Sequence, residues 1–264
     1  MATEWSGVLN AIQDAEEAGI EVGVSIAAPD GRTFSHRGDE LFLSASTVKI
    51  AIMIELFRRS DDGEMSLLDT HELRAAEKVP GSGILQHLHD GIQLTLADVA
   101  YLMMSISDNP ATNILIDRLG IEAINATMRD LGLERSVLGR KMMGRPALET
   151  EQENLATPNE FARMVQAILD GFAASPASCD RMVGLLELQQ NTRRIGRFVP
   201  EGVRWGSKTG SYDTVANDVG FVMLEGGPLV ISAFTANLPD MVAGELLISE
   251  ITREAMHAAG HHDR

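Results

Sequence analysis

The sequence predicts an α+β fold in which one antiparallel sheet is built from both chain ends. Strand-like alternation occurs near the N-terminus and again near the C-terminus, whereas segments with helical periodicity fill the middle. Each end also carries a helical segment. The most economical assembly sets the terminal helices against one face of the sheet, as flanking helices, with a helical lobe beside it.

The N-terminal part of the chain predicts one helix and two strands. Over residues 3–19, apolar side chains recur at spacings of three and four, which indicates an amphipathic helix. Alternation then predicts a strand over Glu21–Ala27. The sequence Pro29-Asp30-Gly31 supplies turn chemistry before a second strand near Thr33–Arg37.

The segment Val48–Phe57 is apolar nearly all round, which predicts a helix buried in the core. Further helices are predicted over Leu96–Ser105, Pro110–Leu119, Ile121–Leu131, Pro158–Leu169, Arg181–Gln190 and Met241–Ala259. Three C-terminal strands are predicted over Val203–Gly210, Val219–Leu224 and Leu229–Thr235, and a turn at Glu225–Pro228 joins the last two. We therefore expect a single domain over 1–264, with an α/β lobe from about 1–45 and 195–264 and a helical lobe over about 46–194.

Composition and charge restrict the function classes. The chain has 264 residues, is 44% hydrophobic and carries a net charge of -16. A surface this acidic repels phosphate backbones and anionic lipid headgroups, so we expect neither nucleic acid nor membrane as a partner. The acidic start lacks the basic and apolar segments of a secretory signal, which predicts a cytoplasmic location. A monomer without cofactor is favoured.

Cysteine and histidine offer no competing site. The single cysteine, Cys179, cannot form an internal disulfide and is predicted to be a structural thiol. The pair His87-x-His89 has no acidic or cysteine partner at metal-site spacing, and His261-His262 lies at the chain end. No metal site is predicted.

Three short motifs carry the functional signal. They are Ser46-Thr47-Val48-Lys49, then Ser107-Asp108-Asn109, then Lys208-Thr209-Gly210. Each motif alone is common by chance, but the three in this order and widely separated form a specific combination.

The first motif pairs a hydroxyl with an amine. Ser46 comes just before the predicted buried helix, where the helix dipole favours developing negative charge. Lys49 follows three residues later on the same face. Burial lowers the pKa of a lysine, which makes Lys49 a candidate base for the Ser46 hydroxyl. The alternative is that Ser46 caps the helix and Lys49 extends to solvent.

The other motifs supply polar groups for a substrate. Ser107 could pass a proton to a leaving nitrogen, and the Asn109 amide could hold a carbonyl; alternatively, Ser107-Asp108-Asn109 caps the helix that Pro110 opens. Lys208 and Thr209 lie on a predicted strand, where they could also be ordinary exposed side chains.

The motif set resembles class A β-lactamases and penicillin-binding proteins over nearly the whole chain. The string Ser107-Asp108-Asn109-Pro110-Ala111-Thr112-Asn113 is especially similar, and Gly81–Leu85, Thr157-Pro158 and Pro200 also fit. The resemblance implies the serine β-lactamase/transpeptidase fold, with the site between sheet and helical lobe, and a serine hydrolase that forms an acyl-enzyme.

Residue roles follow from the same resemblance. Ser46 is implied as the nucleophile, Lys49 as its base and Ser107 as the proton relay. Substrate binding is implied for Asn109, Lys208, Thr209, Gly210 and Ser211, with the N–H groups of Ser46 and Ser211 as the oxyanion hole. Arg194 falls where many members have a carboxylate-binding arginine, with Arg193 and Arg197 as close competitors.

One departure from the family concerns deacylation. Class A β-lactamases carry a loop glutamate that activates the deacylating water. Aligning on Leu138-x-Arg140 puts Met142 at that position, and aligning on Pro146-x-Leu148 puts Arg145 there. Glu149 is the nearest candidate substitute, with Glu151 and Glu153 behind it; alternatively, all three are solvated loop charges. A further departure is that no aromatic residue stands near Ser82–Ile84.

The expected function is hydrolysis of β-lactam amide bonds, slow because the loop glutamate is missing. Two alternatives stay open: a cytoplasmic amidase, peptidase or esterase for a small carboxylated substrate, and a sensor or binding protein that stays acylated.

Overall fold

A five-stranded antiparallel sheet forms the centre of the fold. The computed structural model describes residues 4–145 and 147–261. The strands are β1 (Glu21–Ala27), β2 (Thr33–His36), β7 (Trp205–Tyr212), β8 (Val215–Leu224) and β9 (Gly227–Ala236). Their spatial order is β2-β1-β9-β8-β7, so β7 is an edge strand and both chain ends contribute to one sheet. The α+β architecture predicted from the sequence is confirmed.

Two hydrophobic cores cover the two faces of this sheet. Helices α1 (Ser6–Glu17) and α8 (Met241–Ala258) pack on one face, against side chains such as Val22, Ile231 and Val222. The opposite face carries Val219, Phe221 and Phe234, which pack against the helical block. Alternation along β8 and β9 therefore sends successive side chains to different cores. The lobe boundaries proposed from the sequence stay a prediction.

The helical block surrounds one fully buried helix. Residues Ala45–Val48 form a 3₁₀ turn that leads into α2 (Lys49–Asp61), and Lys49 to Phe57 are all buried. The apolar composition of this segment is thus explained by its central position. Around it lie α3 (Leu96–Ser105), α4 (Asn109–Leu119), α5 (Ile121–Asp130), α6 (Pro158–Leu169) and α7 (Pro176–Glu187).

Most predicted elements are found, and α7 is displaced. The helix expected at Arg181–Gln190 begins at Pro176, because Ser175 accepts a hydrogen bond from Ser178 N and proline fits the first helical turn. The helix predicted over 3–19 is α1, and residue 3 lies outside the described residues. No sequence pattern predicts the short strands β3 (Phe42–Leu43), β4 (Thr70–Glu72), β5 (Gln93–Thr95) and β6 (Leu155–Ala156). Within the described residues, no helix is long and apolar enough to cross a membrane.

Glu160, a buried carboxylate at the start of α6, fixes the chain that enters the loop between α5 and β6. It accepts backbone N–H bonds from Glu134 (2.9 Å), Arg135 (3.0 Å) and Ser136 (2.8 Å). Thr157 caps the same helix. One side chain therefore satisfies three backbone donors that have no helix or strand partner.

We predict that Glu160→Ala lowers the free energy of unfolding by about 3 kcal/mol or more, because unmade buried hydrogen bonds cost about 1–3 kcal/mol each. Equilibrium urea unfolding measures the change. The matched Glu160→Gln variant keeps one carbonyl acceptor and should lose less. An alanine variant as stable as the wild type would show that these bonds do not hold the loop.

Candidate active site

The three motifs meet in a cleft between strand β7 and the helical block. Ser46, Ser107, Thr209 and Ser211 line a common cavity. Ser46 also borders a second cavity of about 250 Å³, lined on its far side by the loop 140–145. The candidate nucleophile thus lies where two halves of a cleft join.

A close contact between β7 and the turn before α2 sets the position of Ser46. A side-chain carbon at Gly210 would lie 2.9 Å from Ser44 O and 3.1 Å from Ser46 N, so only glycine permits this approach. Ala45, directly before Ser46, has φ +46°, an uncommon conformation for a non-glycine residue. The backbone N–H groups of Ser46 and Ser211 belong to the two segments that Gly210 brings together.

Lys49 is completely buried at the base of this cleft. Its Nζ donates to Ser107 O (2.8 Å), Ser107 Oγ (3.0 Å) and Asn109 Oδ1 (3.1 Å). Burial, together with the charge of Lys208, lowers the pKa of the Lys49 ammonium well below its usual value, and Asp108 opposes this shift. The alternative in which Lys49 extends to solvent is wrong, because its side chain has no exposed surface.

Asp108 organises the second motif. Its carboxylate accepts from Ile84 N (2.6 Å), Leu85 N (2.9 Å) and Ala111 N (2.9 Å), which ties the loop 81–85 to the start of α4. Ser107 has φ +59°, so its backbone is held in a strained conformation. The capping interpretation of this motif is therefore correct for Asp108, while Ser107 and Asn109 face Lys49.

The third motif lies on β7 as predicted. Lys208 is completely buried, and burial lowers its pKa to about 7 against the opposing charge of Asp218. In the pairing of β7 with β8, Lys208 lies opposite Val219 and Thr209 lies opposite Asp218. Since Val219 belongs to the core on the helical side, Lys208 points toward the helical block and Thr209 toward the opposite face.

Arg194 lies behind the cleft. Its guanidinium has no exposed surface and donates to Gly210 O (2.7 Å), Asn217 O (2.6 Å) and Ser211 Oγ (2.6 Å). It therefore reaches the cleft through Ser211. Arg193 lines the cavity with an exposed side chain, but it pairs with Glu245 at 3.4 Å. The predicted contact between Arg194 and a substrate carboxylate stays untested.

The loop after α5 brings Met142 to the cleft. The Asn113 amide clamps the Met142 backbone, with Nδ2 donating to Met142 O and Met142 N donating to Oδ1, both at 2.8 Å. Met142 lines the same cavity as Ser46. This supports the register that puts Met142 at the glutamate position. Arg145 also lines that cavity, whereas Pro146, which anchors the other register, lies outside the described residues.

The loop glutamates do not replace the missing base in the way the sequence suggested. Glu149 is exposed and does not line the cleft, so its choice as the nearest substitute is wrong in this structure. Glu151 pairs with Arg145 at 2.6 Å, which lowers the pKa of its carboxyl to about 2. Glu153 does line the cleft, but it accepts from Arg140 and from Ala147 N (2.7 Å).

Two asparagines were missed by sequence reasoning. Asn113 holds Met142, and Asn217 on β8 donates to Leu43 O (2.7 Å), so it supports the chain that leads into Ser46. Their only sequence signal is polarity within apolar segments. Among residues 4–145 and 147–261, no group of three or more histidine, cysteine or acidic residues could hold a metal ion.

Comparisons with known proteins agree with this geometry. A family model described as the β-lactamase enzyme family matches residues 7–259. A β-lactamase of Rhodobacter capsulatus is 30% identical over 84% of this chain and 77% of its own. The solved β-lactamase of Sphaerobacter thermophilus DSM 20745 is 56% identical, with a TM-score of 0.95 over 97% of both chains. The structure of PBP-A is 27% identical, with a TM-score of 0.87 over 96% of this chain and 95% of its own. The family resemblance inferred from the motifs is confirmed.

We predict that Gly210→Ala slows acylation of Ser46 at least about tenfold, because a displacement of about 1 Å at a reacting centre costs up to about 10²-fold in rate. Stopped-flow labelling with an acylating reagent measures the rate. Gly184→Ala on α7 is the matched control, since its added carbon meets nothing within 4 Å. Equal rates in the glycine variants and the wild type would contradict the role of the close contact.

Proposed function

Because this chain belongs to the β-lactamase enzyme family and is a serine hydrolase of that type, we propose that it opens β-lactam amide bonds through an acyl-enzyme on Ser46. The substrate is a small molecule that carries a carboxylate. Neither a metal nor a cofactor takes part in the proposed steps.

The observation that carries this proposal is the set of contacts made by Lys49. A buried amine with a lowered pKa lies 3.0 Å from the Ser107 hydroxyl, and Ser46 opens into the same cavity as Ser107. A nucleophile, a base and a second hydroxyl within one cleft match the requirements of acyl transfer. A capping serine and a solvated lysine would need none of this arrangement.

Acylation would proceed by proton transfer along this set. The neutral amine of Lys49 takes the Ser46 proton as the serine oxygen attacks the β-lactam carbonyl carbon. The resulting oxyanion is stabilised by the N–H groups of Ser46 and Ser211. The C–N bond then breaks, the ring nitrogen takes the Ser107 hydroxyl proton, and Lys49 returns its proton to Ser107.

Substrate binding is assigned to the polar residues of β7 and α4 that form one wall of the cleft. The Asn109 Nδ2 group already donates to Pro80 O (3.1 Å), so this amide is fixed beside Ser46. Thr209 and Ser211 border the cavity, and Lys208 adds a positive charge behind them. Gly210 lets the turn that carries Ser46 lie against this strand edge, next to the polar wall.

Met142 favours slow deacylation and with it a second candidate function. Hydrolysis of the acyl-enzyme needs a water activated by a base, and the loop residue that lines the cavity at this position is a methionine, which is not a base. Loss of a general base costs about 10²–10⁴-fold. A chain that stays acylated would act as a penicillin-binding or sensor protein, consistent with its similarity to PBP-A and to a PBP-A variant solved as an acyl-enzyme with penicillin G.

We predict that penicillin adds its full mass to Ser46 and that Ser46→Ala abolishes this adduct. Intact-protein mass spectrometry followed over time, beside steady-state hydrolysis of a chromogenic cephalosporin, separates the candidate functions. Turnover with a short-lived adduct supports a β-lactamase, and a persistent adduct supports the sensor or penicillin-binding function. An adduct that survives unchanged in Ser46→Ala would overturn the assignment, and no adduct in the wild type would indicate another acyl substrate.

We further predict that Met142→Glu accelerates deacylation at least about tenfold, since it adds a general base at a position that lines the cavity of Ser46. The decay of the Ser46 adduct after removal of free penicillin gives the rate. Met142→Gln has the same shape without the base and should deacylate like the wild type. Glu149→Gln should also be unchanged because Glu149 is exposed. Equal acceleration by glutamate and glutamine would rule out base catalysis as the cause.

A further inference from the structure

Two loops that border the smaller cavity of the cleft are in backbone contact. The loop over residues 78–85 and the loop over residues 140–145 both contribute lining residues to this cavity of about 250 Å³. A side-chain carbon at Gly144 would lie 2.6 Å from Pro80 O and 3.2 Å from Gly81 N. A real side-chain carbon does not approach a backbone oxygen this closely, so only glycine lets the two loops meet here. We call the contact of Gly144 with Pro80 and Gly81 the glycine bridge.

The second glycine of the bridge lies against the substrate-binding amide. A side-chain carbon at Gly81 would lie 2.4 Å from Asn109 Nδ2 and 3.4 Å from Gly144 Cα. Gly81 has φ +107° and Gly144 has φ +65°, and both values favour glycine over other residues. The two loops and the start of α4 therefore pack together at one point, and neither glycine can be replaced there without moving backbone or Asn109.

Both loops are anchored on α4, which makes the bridge a contact between fixed segments. Asn109 N donates to Ser82 O at 2.9 Å, and the Asp108 carboxylate accepts from two backbone N–H groups at the end of the same loop. Further along the helix, Asn113 clamps the backbone of Met142 in the other loop. The position of the bridge relative to the cleft is thus set by one helix.

The acyl part of a substrate is the part that would enter the bridged cavity. Ser46 borders both cavities of the cleft, whereas Ser107 borders the other cavity and not this one. In the proposed function, Ser107 protonates the leaving nitrogen, so the leaving group lies on the Ser107 side. The substituent on the acyl carbonyl then extends from Ser46 in the opposite direction, between the two loops and the end of β7. This step rests on the proposed function.

The cavity is suited to an uncharged substituent. Among the residues that border it, Leu43, Met142 and Met143 are apolar. The loop also carries three cations, but each of them already pairs with a carboxylate, so a substrate anion would have to compete for it. These pairs are Arg140 with Glu153, Lys141 with Asp117, and Arg145 with Glu151.

The volume of the cavity restricts the size of this substituent. A cavity of about 150 Å³ is large enough to hold a benzene molecule. The bridged cavity of about 250 Å³ therefore holds one ring and its link to the acyl carbonyl, and two rings exceed it. Where the loops touch, the cavity cannot widen by a side-chain rotation, because backbone meets backbone at Gly144 and Pro80.

We propose that the glycine bridge determines the acyl specificity of this site: it closes the cavity between the two loops, so that the site accepts slender uncharged acyl groups with at most one aromatic ring and excludes acyl groups with two rings. Gly81 and Gly144 are the specificity-determining residues. They act by letting the loops touch, and neither contacts the reacting atoms.

Three penicillins that share one nucleus and differ in the acyl substituent test the proposal: acetyl, phenylacetyl and diphenylacetyl. Their leaving group is the same, so a difference in the rate of Ser46 acylation reports on the acyl side. In the wild type, we expect the diphenylacetyl compound to react at least about tenfold more slowly than the phenylacetyl compound, since one misfitting methylene already costs about 10–200-fold. Intact-protein mass spectrometry over time gives the three rates.

Gly144→Ala puts a methyl group where Pro80 O lies and forces the loops apart. The ratio of the phenylacetyl rate to the diphenylacetyl rate should then fall to about twofold or less, because the cavity opens between the loops. Gly91→Ala is the matched control: Gly91 has φ +85°, so alanine meets the same backbone strain, but its added carbon has nothing within 4 Å. This variant should keep the wild-type ratio.

A second variant loosens the bridge without a steric clash. Gln86 Nε2 donates to Gly81 O at 2.7 Å and to Gly83 O at 3.3 Å, so Gln86→Ala releases one loop. The rate ratio should fall in the same direction, and this variant decides the question if Gly144→Ala does not fold. Equal rates for the phenylacetyl and diphenylacetyl compounds in the wild type would overturn the proposal. So would an unchanged ratio in the folded bridge variants, including a uniform loss of rate with all three penicillins.

Failure of the proposed function would look different. If no penicillin acylates Ser46 in the wild type, the same three acyl groups are offered as activated esters. Discrimination against the diphenylacetyl ester that is lost in Gly144→Ala or Gln86→Ala would then support the inference although β-lactams are not substrates. Equal rates with the three esters, or no Ser46 adduct from any of them, would reject it.

Discussion

The burial of Lys49 is the constraint on which the rest of the structure depends. Its Nζ is removed from water and contacts a carbonyl, a hydroxyl and an amide oxygen, with no carboxylate in direct contact. Neutral acceptors satisfy the hydrogen bonds without fully compensating the charge, so the unprotonated amine is favoured. A carboxylate in contact with Nζ would stabilise the ammonium and remove the base. The buried helix α2 carries this amine, and Ser107, whose φ is +59°, supplies two of its three hydrogen-bond partners.

The two faces of the edge strand β7 carry different polar groups. On its helical side, the charge of Lys208 helps burial to lower the pKa of Lys49. On its other side, Arg194 holds the strand from behind by donating to Gly210 O and Ser211 Oγ. The strand alternation therefore sends Lys208 to the face of Lys49 and its neighbour Thr209 to the face of Arg194. At Gly210 the strand has no side chain, and the turn that carries Ser46 contacts the strand there.

The sequence predicts much of this arrangement and misses the rest for physical reasons. Helical periodicity and strand alternation are local, so the sheet strands and the buried helix could be read from the chain. Two-residue strands such as β3 and β6 depend on pairing with distant partners and leave no local pattern. The motifs indicated which residues meet, but not that Arg194 reaches the cleft through Ser211. That depends on how a loop crosses the back of a sheet, which no spacing along the chain specifies.

The roles of the charged residues in the loop over residues 140–154 could not be predicted from the sequence either. Counting carboxylates suggested Glu149 as a base because it stands nearest in the chain. In the fold, Glu151 and Glu153 hold Arg145 and Arg140, and these ion pairs set the course of the loop past the cleft. The ion pair with Arg145 lowers the pKa of the Glu151 carboxyl to about 2, which makes Glu151 a poor base. Asn113 then holds the backbone of Met142, which has no titratable group, at the cavity that Ser46 also lines. The loop's charges thus stabilise its own conformation, and the residue that it holds at the cavity, Met142, cannot take a proton from water.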